Sequence, residues 1–326
     1  MHPFTYSRAT DPESAVAALL RQRATPLAGG TDLMQLLKDD VLRPERIVDI
    51  SRLKLTEIEA TPQGLVIGAL AKMADVAEHR AVRDDYPVIA EALLMSASAQ
   101  VRNMATMGGN LLQRTRCVYF RDTAMPCNKR EPGSGCSAIE GENWQHAILG
   151  GTPACVAVHP SDLAVALVAL DAAVRVAGPN GERRIKVEKL HRLPAEAPHI
   201  ETVLEPGELI TAVEVPAAPD TKRSRYLKVR DRASFEFALT SAAVALDREG
   251  GVVRSARIAV GGVATKPWRL RGVEQALAGQ KLTAESVQRA AAFAAEGARP
   301  LRDNGFKVTL LQRTVARAIA ETGELA

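Results

Sequence analysis

Two glycine pairs dictate where this backbone must turn tightly. In "ATPLAGGTDLMQLLKDD", Gly29 and Gly30 separate a strand-like run from a helix that begins at about Asp32. In "NMATMGGNLLQ", Gly108 and Gly109 lie between Thr106 and Asn110. Such a turn leaves backbone N–H groups pointing outward at a helix start, where an anion is favoured. One glycine turn is common and usually structural. Two, flanked by Thr and Asn side chains able to hydrogen-bond a ligand, suggest a bound diphosphate. Neither is the dinucleotide pattern G-x-G-x-x-G.

The rest of the chain reads as mixed strands and helices. "DPESAVAALLRQ" opens a helix with Asp11 as N-cap and Pro12 at its first position. "RIVDIS" is a buried strand, and "LTEIEA" and "LVIGAL" are strands joined by the turn "TPQG". "MADVAEH", "PVIAEALLMSA" and "SDLAVALVALDA" are helical, and "AVRVAGPNGERRIKV" is a hairpin turning at Gly178-Pro179-Asn180-Gly181. "VPAAPDTKR", Val215–Arg223, reads as a domain linker. Beyond it, "SRYLKVR", "FALTSAAVALDR" and "GVVRSARIAVGGV" predict a three-stranded antiparallel sheet, followed by helices over Thr283–Gly297 and Thr309–Glu321. The irregular order predicts an α+β fold.

With 326 residues, 46% of them hydrophobic, the chain is long enough for two domains and a large core. A net charge of +4 is too small for a nucleic-acid binder. No apolar run approaches the roughly 20 residues of a membrane span. "MHPFTYSRATDPESAV" has no basic, apolar or cleavage region of a secretory signal. The expected location is therefore the cytoplasm, or the periplasm by co-export with a signal-bearing partner.

The four cysteines, Cys117, Cys127, Cys136 and Cys155, are confined to one Gly/Pro-punctuated segment. Disulfides belong to oxidising compartments and small domains. Zinc usually takes C-x₂₋₄-C pairs, whereas the gaps here are nine, eight and eighteen residues. Four separated thiolates in a looped segment suit a 4Fe–4S cluster. Arg114, Arg116, Arg121, Lys129 and Arg130 would stabilise thiolates and an anionic cluster. Spacing alone leaves cluster and zinc both open, with the irregular gaps favouring the cluster. His146 and His159 are less suited as ligands, because four cysteines already complete a set; His159, before Pro160, reads as a hydrogen-bonded residue at the start of a helix.

In chain order, "AGGTDL", "T-x-GGN", "HPSDL" and "YLKVRDRASFEFAL" resemble the FAD-binding subunits of the xanthine dehydrogenase family of molybdenum hydroxylases. The resemblance covers nearly the whole chain. It implies an FAD-binding domain of two α+β subdomains, of the PCMH type, over residues 1–218, then a smaller domain of a three-stranded sheet with helices over 223–326. It implies that Thr25, Pro26, Leu27, Ala28, Gly29, Gly30, Thr31, Asp32 and Leu33 wrap the FAD pyrophosphate. Thr106, Gly109 and Asn110 would hold it from the other side. Asp162 would reach the ribityl or ring edge, Ile210 would pack near the flavin, and Lys228 would contact the ring region. "KVRDRASFEF" departs from the family's "K-x-x-R-R-x-x-D", with the acidic residue moved to Asp231 or Glu236.

Family members usually pass from the glycine turn to the Ser/Asp helix start within a short run. Here Asn110 and Asp162 are 52 positions apart, so the cysteines belong to an insertion at about 111–158. "QRTRC", "PCNKR", "PGSGC" and "HPSD" are similar to the FAD subunits of bacterial periplasmic aldehyde oxidoreductases, three-subunit enzymes of this family. That similarity implies a 4Fe–4S cluster on the four cysteines.

No Ser-His-Asp set, carboxylate pair or metal-hydrolase motif stands out, so no catalytic residue is assigned and the chemistry falls to cofactors. The resemblance implies partners: a large subunit with the molybdenum cofactor and a small subunit with 2Fe–2S clusters. Electrons would leave the molybdenum site, pass through those clusters and reach an external acceptor by way of this chain. The alternative is the FAD subunit of another hydroxylase of the family whose cysteine site is purely structural. A flavin-free scaffold and a stand-alone flavoprotein oxidase are the rivals from other classes.

Overall fold

Asp11 caps the first helix, Pro12–Leu19, by accepting from the Ser14 N–H while the Ser14 hydroxyl completes a capping box. The computed structural model describes residues 1–195 and 197–325. Glu196 and Ala326, which the expected domain ranges include, lie outside the described residues. The architecture is α+β, as expected.

The first sheet is parallel: β1 (Thr5–Arg8), β2 (Ala24–Leu27) and β3 (Arg46–Asp49), in the order β1-β3-β2. The Gly29-Gly30 turn leaves the end of β2 and enters the Leu33–Lys38 helix. Crevices outside the carboxyl ends of parallel strands are where such sheets take ligands.

The second sheet is antiparallel: β4 (Ile58–Thr61), β5 (Gly64–Gly68), β6 (Ala173–Gly178), β7 (Gly181–Lys186) and β8 (Leu209–Pro216), in the order β4-β5-β8-β6-β7. The hairpin turns at Gly178–Gly181 as predicted. Strand β8 is the one that sequence reading passed over, and it is the central strand. Six of its eight residues are buried, so the alternation that marks a half-exposed strand is missing. The segment expected as a linker thus begins inside β8.

The third sheet holds the three predicted antiparallel strands, β9 (Ser224–Val229), β10 (Thr240–Glu249) and β11 (Val252–Gly261). A two-residue edge strand, β12 (Trp268–Arg269), extends it. The helix expected over Thr283–Gly297 is an α-helix, Ala284–Ala291, continued by a 3₁₀ turn, Ala292–Ala295. The last helix spans Phe306–Thr322.

One helix joins the two larger cores. All eight residues of Asp162–Ala169 are buried, which is what an apolar-all-round helix requires. It packs in one core with Ile67, Val174 and Val213 of the second sheet, and also against β10 and β11. Its C-terminal carbonyls are met from the C-terminal region. Arg269, whose side chain is 3% exposed, donates to the carbonyls of Val168 (2.7 Å) and Ala169 (3.3 Å) and to Asp171 (2.9 Å). It also pairs with Glu274. A cation at a helix C-terminus is favourable, and removing one partner of a buried pair costs about 3–5 kcal/mol. Arg269→Leu is expected to lower unfolding stability by about 3 kcal/mol or more on that basis. A urea unfolding midpoint unchanged from wild type would contradict this.

Candidate functional site

Fourteen of the fifteen residues expected at the flavin line one cleft of about 570 Å³, formed where β2, β8, β9 and the two glycine turns converge. Leu27 is the exception. The first turn supplies the donors. Among the described residues, the N–H groups of Gly29, Gly30, Thr31 and Asp32 donate to no acceptor within the chain. Gly30 has φ +72°, a conformation that favours glycine. Gly29 is required by contact instead: a Cβ there would lie 2.0 Å from the Met104 carbonyl oxygen. The first turn thus packs against Met104 and Ala105, the residues that lead into the second turn, and is glycine-rich partly for that reason.

The second turn is internally satisfied. Thr106 Oγ1 accepts from the Gly109 N–H (3.3 Å) and caps the Met107–Leu111 helix. The Gly108 N–H donates to Ala69 O (2.8 Å). Asn110 Oδ1 accepts from Ser161 Oγ (2.5 Å), and Ser161 in turn caps the Asp162–Ala169 helix. This turn therefore shapes the cleft wall, whereas the first turn offers free N–H groups.

Asp162 is 6% exposed and takes three donors: Tyr226 OH (2.6 Å), Lys228 Nζ (2.8 Å) and Ser96 Oγ (3.0 Å). Lys228 also donates to Met95 O (3.1 Å). Burial, with the adjacent Asp162 charge, pushes the Tyr226 hydroxyl well above its ordinary value, so it stays a donor. An aspartate in the first turn of a helix is further favoured by the dipole.

The cysteine segment is bound to the cleft by charge. Asp32 accepts from the Arg114 N–H (2.8 Å) and pairs with Arg116 (3.0 Å) and Arg121 (3.0 Å). Glu201 pairs with Arg114 (2.7 Å) and Lys129 (3.2 Å). Burial alone would raise the Glu201 carboxyl, but these two cations hold it below its ordinary value. Arg130 donates to the carbonyls of Tyr119 (3.0 Å) and Phe120 (2.8 Å). Four cations thus meet two carboxylates, while Arg130 meets only backbone carbonyls; the positive excess suits an anionic ligand.

Cys117, Cys127, Cys136 and Cys155 all line one small cavity. Cys127 and Cys136 face each other across an isolated bridge, and Cys155 closes a turn with Thr152. All four are free thiols. Among the described residues, no three His, Cys, Asp or Glu side chains converge closely enough to hold a single metal ion. Burial pushes the Cys117 thiol up to about 12 and the neighbouring His146 imidazole down to about 4. His159, expected at a helix start, has its Nε2 3.0 Å from His191 Nε2 and accepts from the Ser161 N–H at 3.4 Å.

The profile described as FAD binding domain in molybdopterin dehydrogenase matches residues 2–218, and that of the CO dehydrogenase flavoprotein C-terminal domain matches 225–322. The aldehyde oxidoreductase FAD-binding subunit PaoB of Escherichia coli is 47% identical, with 98% of each chain covered. The chain belongs to the FAD-binding subunits of the molybdenum hydroxylase family. The glyceraldehyde dehydrogenase medium chain of Sulfolobus acidocaldarius is 31% identical over 88% of this chain and 86% of its own. Among solved structures, the carbon monoxide dehydrogenase of Hydrogenophaga pseudoflava superposes with a TM-score of 0.75 at 27% identity, covering 98% of this chain and 97% of that one. Among the described residues, no helix is long and apolar enough to cross a membrane.

The cleft also has walls that sequence reasoning did not assign. Ser96 and Gln113 line it, as do Arg232, Phe235 and Phe237 of the loop after β9. Of the two displaced acidic candidates, Glu236 lines the cleft. The only signal for this loop was its departure from the family pattern. Arg114 and Arg116 were singled out for the cysteines, yet both reach the flavin cleft as well. Asp162→Asn leaves the buried Lys228 ammonium without its counter-charge and is expected to destabilise the fold by about 3 kcal/mol. Adding Lys228→Met should recover part of that loss; a double variant less stable than Asp162→Asn alone would refute the pairing.

Proposed function

We propose that this chain is the FAD- and 4Fe–4S-carrying electron-transfer subunit of a heterotrimeric molybdenum-dependent aldehyde oxidoreductase. In this reading it takes electrons from a molybdenum-cofactor-binding large subunit through a 2Fe–2S small subunit and delivers them to an external acceptor. Residues 1–218 form the FAD-binding domain, with the iron–sulfur insertion at about 111–158, and residues 223–326 the C-terminal domain; the two profile matches support that division. The near-full-length likeness to an aldehyde oxidoreductase subunit supports the reaction and the partners. Export, where it occurs, would follow a signal-bearing partner into the periplasm.

One observation carries the reading. The flavin cleft and a second cavity share Arg116, Pro160, Asp162, Glu236 and Phe237, and the second cavity also reaches Cys117. The second cavity therefore runs between the cleft and Cys117, one of the four cysteines. FAD, when bound, supplies a carrier that takes electrons singly or in pairs. A 4Fe–4S cluster, when bound, supplies one-electron transfer.

The chain's own residues do the positioning. The free N–H groups from Gly29 to Asp32 bind the diphosphate, and Arg116 and Arg121 neutralise the Asp32 carboxylate that would otherwise repel it. Thr106, Gly109 and Asn110 support the opposite wall, with Ile210 and the Asp162–Lys228 pair toward the ring. Cys117, Cys127, Cys136 and Cys155 hold the cluster. Their gaps of nine, eight and eighteen residues favour the cluster over zinc, which usually takes C-x₂₋₄-C pairs.

Metal, acid-labile sulfide and flavin analysis of the anaerobically purified complex tests this. Stoichiometric FAD is expected, with iron and sulfide that fall when Cys127→Ser replaces a thiolate by a poor ligand. Stoichiometric zinc, with iron and sulfide unchanged by Cys127→Ser, would leave the cysteine site purely structural. Separately, Gly30→Val should bind FAD at least about tenfold more weakly, about 1.4 kcal/mol, because a side chain is strained at that φ and crowds the donor turn. Normal flavin content in folded Gly30→Val would remove the turn from the binding site.

A further inference from the structure

We propose that His146 is a positioning residue that donates a hydrogen bond from Nε2 to the Cys117 sulfur and so raises the reduction potential of the cluster held there. This rests on the cluster reading above. His146 is not one of the four thiolates, yet its Nε2 lies 3.2 Å from Cys117 Sγ. Its residue is 6% exposed, and its Nδ1 is buried without a partner among the described residues. At least one ring nitrogen carries a proton in any charge state, and the nitrogen with an acceptor in reach holds it at lower cost than the nitrogen with none. Nε2 is therefore the donor, and the sulfur is its acceptor.

The contact is enforced from far away in sequence. The His146 carbonyl accepts from Asn304 Nδ2 (3.2 Å) and from Lys307 Nζ (3.3 Å). Lys307, fully buried on the Phe306–Thr322 helix, also donates to Gln145 O (2.8 Å) and Gly262 O (2.7 Å). The His146 N–H donates to Asn143 O (3.0 Å), and the Tyr119 ring lies 6.1 Å from the imidazole. With its backbone fixed on both sides, the ring is aimed rather than free to turn away. Cys117 is also the cysteine that lines the cavity leading toward the flavin cleft. A donor to a ligand sulfur withdraws electron density and stabilises the reduced cluster, which raises its potential.

The test uses the intact complex, with iron and acid-labile sulfide measured for every sample. EPR-monitored redox titration should give a lower midpoint potential for His146→Leu than for wild type. His146→Gln, which restores an N–H donor, should recover part of the difference. An unchanged midpoint in fully loaded His146→Leu overturns the proposal. Should that variant fail to hold its cluster, wild-type protein labelled with ¹⁵N-histidine decides the matter by pulsed EPR. Coupling of one histidine nitrogen to the reduced cluster is expected, and no coupling in a loaded sample overturns the hydrogen bond alone. A wild-type subunit without iron or sulfide overturns the cluster reading and this inference with it.

Discussion

The buried carboxylate of Asp162 is the point on which the two halves of the molecule depend. It stands at the start of a helix with no exposed face and takes donors from Ser96 on one side and Tyr226 and Lys228 on the other. A carboxylate so enclosed is tolerable only when each donor is present. The far end of the same helix meets Arg269. Opposite charges thus sit at opposite ends of one dipole, Asp162 from the helix itself and Arg269 from the C-terminal region. The cleft wall between β8 and β9 follows from that clamp.

A second electrostatic arrangement sets the place of the cysteine segment. Asp32 belongs to the donor turn, yet its carboxylate is spent on Arg116 and Arg121 of the segment. The turn keeps its N–H groups for a ligand, and the segment gains an anchor. Glu201 repeats the device with Arg114 and Lys129. Because these pairs are mostly shielded from solvent, they lose less to screening than surface pairs do.

Much of this was legible from residues alone, and the remainder failed for definable reasons. Glycine pairs, the "HPSDL" helix start and the confinement of cysteines are local patterns with local causes. Strand β8 was not legible because burial on both faces erases the period of two. β12 is too short to carry a period. The Asp162–Lys228 pair spans 66 positions, and no spacing rule connects such residues. The roles of Thr106 and Asn110 were half visible: their types announced hydrogen bonding, but only the fold reveals that Thr106 caps a helix and Asn110 holds Ser161. Phe235 and Phe237 gave no pattern, since a loop that lines a cleft needs only shape.

The cysteine segment leaves and rejoins the fold at neighbouring points, where Thr115 Oγ1 donates to Val158 O at 3.0 Å. Its stem is closed by contacts that do not depend on what lies between. For such a closed loop the entropy of closure grows only with the logarithm of length, about 0.6 kcal/mol per doubling. Lengthening the segment at exposed positions is therefore thermodynamically mild, whereas its contacts with Asp32, Glu201 and Lys307 must be kept. Length can thus vary between the anchors of this segment at little cost in closure entropy.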